Sequence, residues 1–269
     1  MDHGLDFNNE YFKIWLGAVP ALFSSLVNIF RFLGWWNFKT RRGSRASDIM
    51  AFQIVAGLCV VYLSGAGIIG YFSLFGVNEY ERLSLDPWFG KSAFIENHLL
   101  YPMISYQGWN IILCLFNKDL NDLFMILHHI ATAVLAYFML APYAQYQCFF
   151  FSGIVEISNI PLTIMDIFKY FPDLAKQYSS INTLSRTLFG ISFIVLRLII
   201  WPVLTYYFIT GSYNLLITNT AHNQYIVIFF IICNILLTAL QLFWGSKIIH
   251  ILLFKTKSSS VSKTQKDKL

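Results

Sequence analysis

Charge is what this chain has least of. Only 12% of its 269 residues are Asp, Glu, Lys or Arg and 57% are hydrophobic, whereas a soluble domain carries about 25% charged residues. An ordinary soluble fold is thereby excluded, because the apolar stretches are too many and too long for a buried core. Paired cysteines are also missing. Cys59, Cys114, Cys148 and Cys233 all fall in apolar stretches with no CxxC spacing, so they read as small buried hydrophobes. No basic region opens the chain, whose first segment Met1 to Glu10 is acidic, and a cleaved signal peptide is not expected. No Asn-x-Ser/Thr sequon marks a lumenal side. The formal charge is +5, yet no basic stripe with interleaved aromatics lies outside the apolar stretches, which sets nucleic-acid binding aside.

Seven apolar windows are present instead, and they predict an all-α polytopic membrane bundle of about seven transmembrane helices, six of them around a central cavity. The windows are Ile14–Leu33, Ile49–Phe75, Leu99–Phe116, Leu123–Leu140, Gln145–Phe168, Leu184–Ile209 and Tyr225–Phe254. The third looks weakest, interrupted by Tyr101, Pro102, Ser105, Gln107 and Asn110. Seven crossings place Lys39, Arg41, Arg42, Arg45, Lys118, Lys169, Lys176 and the lysines from Lys255 onward on one side. The other side receives the acidic N-terminus, the loop Gly76–His98 with only Arg82 and Lys91, the short Ala141–Ala144 turn, and Thr210–Gln224 with none. By the positive-inside rule the N-terminus is expected outside or in the lumen and the C-terminus in the cytosol. The expected layout is an N-terminal segment with the first span and a basic loop (1–48), a membrane domain (49–254) and a disordered Lys/Ser-rich tail (255–269). The last four residues, Lys266-Asp267-Lys268-Leu269, superficially resemble a lumenal retrieval signal. Lys268 stands in place of its Glu, and the likeness reads as chance.

One motif is a decoy. Gly65-Ala66-Gly67-Ile68-Ile69-Gly70 matches G-x-G-x-x-G, but it lies inside a span and follows no strand, so it does not read as nucleotide-binding. Small residues that let helices approach closely are the expected role.

The polar residues inside the spans carry the functional signal. His128 and His129 sit in an apolar run, about 100° apart on their helix and on the order of 10 Å in from its start, with Thr132 one turn further. Hydrocarbon offers imidazole no partner, so the pair should face a bundle interior or a wet cavity. Packing histidines bonded to neighbouring helices are the plainer alternative. Glu156, Asn159 and Thr163 share one face of the fifth window, as an active carboxylate site or a structural clamp. Pro161 is expected to kink that helix near Asn159. Arg197, four residues before Trp201-Pro202, must meet a carboxylate, carbonyls or a lipid headgroup, and Glu156 is the obvious charge partner. Arg186, nearer a helix end, can snorkel. Asn234, Thr238 and Gln241 read as interhelical hydrogen-bond glue. Adjacent histidines cannot reproduce the i, i+4 geometry of a helical metal site, and no metal or other cofactor is expected.

Taken together, His128-His129-Ile130-Ala131-Thr132, Glu156-Ile157-Ser158-Asn159-Ile160-Pro161, Arg197 with Trp201-Pro202, and the run Asn234 to Trp244 resemble the TLC-domain family. The likeness runs from about Ile49 to Ile249. That family includes ceramide synthases, the translocon-associated TRAM proteins and other lipid-related membrane proteins. Ceramide synthases follow their histidine pair with His-Asp-x-x-Asp, which falls here on Val155-Glu156-Ile157-Ser158-Asn159. One histidine and one acid of that motif are replaced, so the chain is more similar to the non-synthase TLC-domain transmembrane proteins. The resemblance implies a membrane protein, of the endoplasmic reticulum, that binds or senses lipid and acts in lipid homeostasis or trafficking. The alternative it implies is an N-acyltransferase using acyl-CoA and a long-chain amine. There His128 or His129 would serve as base or acyl carrier with Glu156 assisting, and Thr132, Asn159, Arg197 and Gln241 would contact lipid. A structural or cargo-binding membrane protein is the third reading.

Overall fold

The computed structural model describes residues 6, 8–40, 42–76, 86–141 and 143–266, apart from the side chains of 75–76 and 251–266. Arg41, Arg82, most of the acidic leader and the side chains of the Lys/Ser-rich tail therefore lie outside the described residues. Two compact units divide the chain, Met1–Phe189 and Gly190–Leu269. All seven expected helices form. Six are long and apolar enough to cross a membrane: Glu10–Phe32, Ala46–Leu74, Ala93–Phe116, Gln145–Tyr170, Ser179–Ile217 and Gln224–His250. The fourth, Leu123–Phe138, is a shorter apolar helix of 16 residues, about 24 Å at 1.5 Å per residue.

Local chemistry sets the helix ends. The Asn9 side chain accepts from Phe12 N at 3.2 Å, with Glu10 in the first turn of the first helix and Arg31 in its last, as the helix dipole favours. Asp122 caps the fourth helix by accepting from Met125 N at 3.1 Å.

The third span corrects the sequence reading. It is the most buried of the spans, and Tyr101, Pro102, Ser105, Gln107 and Asn110 are all buried in it. Their polarity marks a helix surrounded by protein, packed on the first, second and fourth helices, and does not interrupt it. The fifth span differs too. It opens on a 3₁₀ turn (Gln145–Gln147), a π turn (Phe149–Gly153) and a second 3₁₀ turn (Ile154–Ser158), and regular α-helix runs only from Asn159 to Tyr170. Pro161 thus sits in the first turn of the α stretch, where its missing N–H costs nothing.

The second and fifth spans pack along their length, and the decoy glycines are the reason. A Cβ at Gly67 would lie 2.5 Å from the Gly153 Cα, and one at Gly70 would enter the Phe149 ring. At Gly57 the Thr163 methyl is the neighbour, at 3.2 Å from a built Cβ. Backbones that touch in this way give membrane helices the close packing that hydrophobicity cannot supply in lipid.

Hydrogen bonds between loops tie each end of the first unit together. At one end, a tight hairpin closes through Thr40 N to Ser44 O (2.9 Å) and Ala46 N to Phe38 O (3.0 Å), its turn carried by Gly43 at φ +92°. The Asp119 carboxylate accepts from the Thr40 hydroxyl and from Ser44 N, and the Tyr170 hydroxyl donates to Asp119 O at 3.2 Å. At the other end, Gln145 is fully buried. Its Oε1 accepts from Ser92 N at 2.9 Å, while its Nε2 donates to Glu96 Oε1 at 3.1 Å and Met139 O at 2.9 Å. The fourth helix therefore runs from one end to the other despite its shortness.

In the second unit a π turn, Ile194–Ile200, leads into the α stretch Trp201–Ile217, and Gln224–Lys266 packs against both.

Gly67→Val should destabilise the protein by about 3 kcal/mol or more, since the clash is with backbone, whereas Gly65→Ala, which meets open space, should be neutral. Thermal unfolding in mild detergent checks both. A second outcome concerns pH. Burial alone would raise the Asp119 carboxyl, but hydrogen bonds from Ser44 and Thr40 and the nearby Arg42 outweigh it and hold it below its usual value. A depressed carboxyl contributes stability above its unfolded value and loses it as pH falls through the folded one. Exchange of the Ser44 amide with solvent deuterium should accordingly rise below about pH 4, and Asp119→Asn should remove that dependence.

Candidate functional site

The fourth helix presents His128 and His129 half-buried, in its second turn. The His129 Nδ1 lies 2.6 Å from Gln107 Oε1. Because that amide oxygen only accepts, Nδ1 carries the proton and Nε2 is left as the basic nitrogen. Gln107 is fixed in turn: it is buried, and its Nε2 donates to Met103 Sδ at 3.3 Å. The His128 ring stands 5.8 Å from that of His129, centroid to centroid, inclined at 56°. Thr132 gives its hydroxyl proton to the His128 carbonyl at 2.8 Å, so only its oxygen lone pairs remain to meet anything else.

On the fifth span, Glu156 is buried in the 3₁₀ turn before the α stretch. Its Oε2 accepts from Asn159 Nδ2 at 2.7 Å, and the Asn159 carbonyl accepts from the Thr163 hydroxyl at 2.9 Å. The shared face expected of these three residues is realised as a chain with Asn159 at its middle. Val155 is buried. Gln107 of the third span holds His129, and Tyr106 beside it is buried and within electrostatic reach of Glu156. Neither residue figured among the expected site residues. Gln107 was visible in the sequence, but only as an interruption of an apolar run.

Arg197 and Gln241 belong to the second unit. Arg197 is buried in the π turn, its guanidinium 5.6 Å from the Phe193 ring centroid, and its Nη1 donates to Gln241 Oε1 at 3.2 Å. Trp201 Nε1 donates to the Thr238 hydroxyl at 2.9 Å, and Thr238 donates to the Asn234 carbonyl at 2.7 Å. Thr238 and Gln241 thus join the two helices of this unit, the role expected of interhelical glue. Arg186 reaches Asn182 Oδ1 at 2.9 Å on an exposed surface. Among the described residues no three His, Cys, Asp or Glu side chains form a metal-binding group.

This arrangement makes Gln107 a positioning residue. Gln107→Leu keeps the shape but leaves the His129 Nδ1–H without its acceptor. The change should lower stability by about 1–3 kcal/mol, and the ¹⁵N signals of His129 should shift toward a mixture of tautomers. Unfolding midpoints and imidazole nitrogen NMR read the two effects.

A family profile described as the TLC domain, TRAM_LAG1_CLN8, matches residues 47–250. The match encloses both histidines, Glu156, Arg197 and Gln241. No curated protein sequence matches the chain. A match over most of a multi-pass helical chain, with the polar residues inside it, settles the family: this is a TLC-domain membrane protein.

Proposed function

We propose that the chain binds or senses a membrane lipid between its third, fourth and fifth spans, and through it influences lipid composition or trafficking. One observation carries this reading. An imidazole fixed through one nitrogen (His129) and a buried carboxyl (Glu156) both lie within apolar spans of the first unit. Polar groups at that depth are costly unless they meet polar partners, and a lipid's amine, hydroxyl or ester supplies them. Under this reading His128, Thr132 and Asn159 complete the polar lining, and Arg197 with Gln241 meets lipid within the second unit. The protein works in the endoplasmic reticulum, N-terminus in the lumen and C-terminus in the cytosol, and its basic hairpin faces the cytosol.

A second reading, N-acyl transfer from acyl-CoA to a long-chain amine, is favoured by the anchored Nδ1. In it the amine nitrogen attacks the thioester carbonyl, His129 Nε2 takes the amine proton, and CoA leaves as thiolate, to which the proton passes. The partner of His129 argues against it. A glutamine orients an imidazole but carries no charge to stabilise the imidazolium, and Val155 offers no second base. Binding is the better fit.

Mass spectrometry of lipids carried through purification in mild detergent tests the proposal. A discrete lipid class should accompany the wild-type protein and fall about tenfold in Glu156→Gln and His129→Asn, each removing contacts worth about 1.4 kcal/mol or more, while Glu156→Gln unfolds near the wild-type temperature and His129→Asn, which also loses the Gln107 bond, stays folded. Identical bulk lipid in all three proteins would overturn it. Conversion of acyl-CoA and a sphingoid base to an N-acylated product, lost in His129→Ala, would replace it with the acyltransferase reading.

A further inference from the structure

The hairpin between the first two spans gathers positive charge that the protein neutralises only in part, Arg42 lying near the Asp119 carboxylate. Lys39 and Arg45 face each other across an antiparallel bridge, between the hydrogen bonds Thr40 N to Ser44 O and Ala46 N to Phe38 O. They form a non-hydrogen-bonded pair, whose side chains leave the same face at the closest cross-strand spacing. Like charges so placed repel. Arg42, at the turn, adds a third charge and reaches across to the Lys118 carbonyl at 3.5 Å, beside the charge of Lys118.

The acids at this end are already engaged. Asp119 accepts from Thr40 and Ser44, Asp48 pairs with Arg31 at 2.8 Å, and Asp122 caps the fourth helix. Among the described residues none of Lys39, Arg42, Arg45 and Lys118 is ion-paired, and all four are exposed. Like charges held on one face of a bridged hairpin repel, and an anion between them would relieve that repulsion.

The depth of the hairpin says which anion. Trp35 and Phe38 at its base are 51% exposed, Phe32 is 90% exposed and Phe116, just before Lys118, is 84% exposed. Exposed aromatics around the ends of apolar helices mark the membrane–water interface. Basic residues directly beyond such a belt stand at headgroup level, where anionic lipids attract them.

We propose that the 38–46 hairpin and the turn bearing Lys118 form a binding site for the phosphate of an anionic phospholipid. Lys39 and Arg45 hold the phosphate oxygens from one face, Arg42 and Lys118 close the site from the side, and the acyl chains run down past Phe32 and Phe116. The site is separate from the histidines and Glu156, and it stands whether or not the lipid-binding reading of those residues does.

The test uses the full-length protein in nanodiscs of phosphatidylcholine with added phosphatidic acid, followed by native mass spectrometry of the lipids that stay bound. Wild type should retain phosphatidic acid over phosphatidylcholine by about tenfold relative to Lys39→Gln/Arg45→Gln, as expected for losing two charge-assisted contacts. Lys176→Gln/Arg186→Gln removes the same charge away from the hairpin and should retain the lipid. Equal loss in this control would mean diffuse attraction, and would overturn the proposal. Release of the bound lipid by millimolar inorganic phosphate would identify a free-phosphate site and would equally overturn the lipid assignment. Unfolding temperature adds an arm that does not rely on lipid retention. In lipid-free detergent the double hairpin variant should be at least as stable as wild type, because a repulsion is gone, and added phosphatidic acid should stabilise only the wild type. A hairpin variant that gains as much from phosphatidic acid as wild type would sink the assignment.

Discussion

The contact on which the first unit depends is that of Gly67 against Gly153, where two backbones touch with no side chain between them. Lipid tails are as apolar as leucine, so helices in a bilayer gain little from hiding apolar surface and must gain from close packing. The glycine pair gives the second and fifth spans that closeness. It also fixes the height of whatever follows Gly153 along the chain, and Glu156 follows within one turn. The π turn ending at Gly153 and the 3₁₀ turn after it change the number of residues per turn. Together they set the direction in which Glu156 and Asn159 leave the backbone. Position in depth comes from the glycines, and direction comes from the irregular turns.

Given that scaffold, the second constraint is that polar groups inside the spans need partners supplied by protein. The two units answer it differently. In the second, Arg197 meets Gln241 and Trp201 meets Thr238, contacts that join neighbouring helices as a clamp does. In the first, His129 is bonded through one ring nitrogen only, and the Glu156 carboxylate is bonded to an amide on its own span. The imidazole is thereby oriented with its Nε2 turned away from its anchor, and the carboxylate is held by the span that carries it. That contrast separates a polar site from polar glue, and it could not be drawn from hydropathy.

Sequence patterns revealed the spans because only a bilayer core calls for so many apolar runs of about 20 residues. They revealed the histidine pair and Glu156 for the converse reason, since polarity in such a run is conspicuous. Two things stayed hidden. The third span looked weak because its polar residues lower its hydropathy, yet a helix ringed by other helices needs little lipid-facing surface. The irregular start of the fifth span was invisible because a short π turn and an α-helical turn have nearly the same apolar pattern, and Pro161 marked only its end near Asn159. Gln107 shows the same limit. Spacing along one helix tells which residues share a face, but not which neighbouring helix that face will meet.

The fourth helix connects these features in depth. It begins at Asp122, directly after the turn in which Asp119 is held by the hairpin, and it places His128 and His129 about 10 Å inward at 1.5 Å per residue. A phospholipid whose phosphate lay at the hairpin would carry its glycerol and ester oxygens below the headgroup level, toward the depth of the imidazoles. The Nε2 of His129, proton-free while Gln107 holds the Nδ1 proton, accepts hydrogen bonds and does not donate them. It would therefore favour a lipid offering a hydroxyl, amide or ammonium hydrogen over a diacyl lipid offering only ester carbonyls. Under the two proposals the hairpin would select by charge at the surface and the imidazole by hydrogen-bond polarity within.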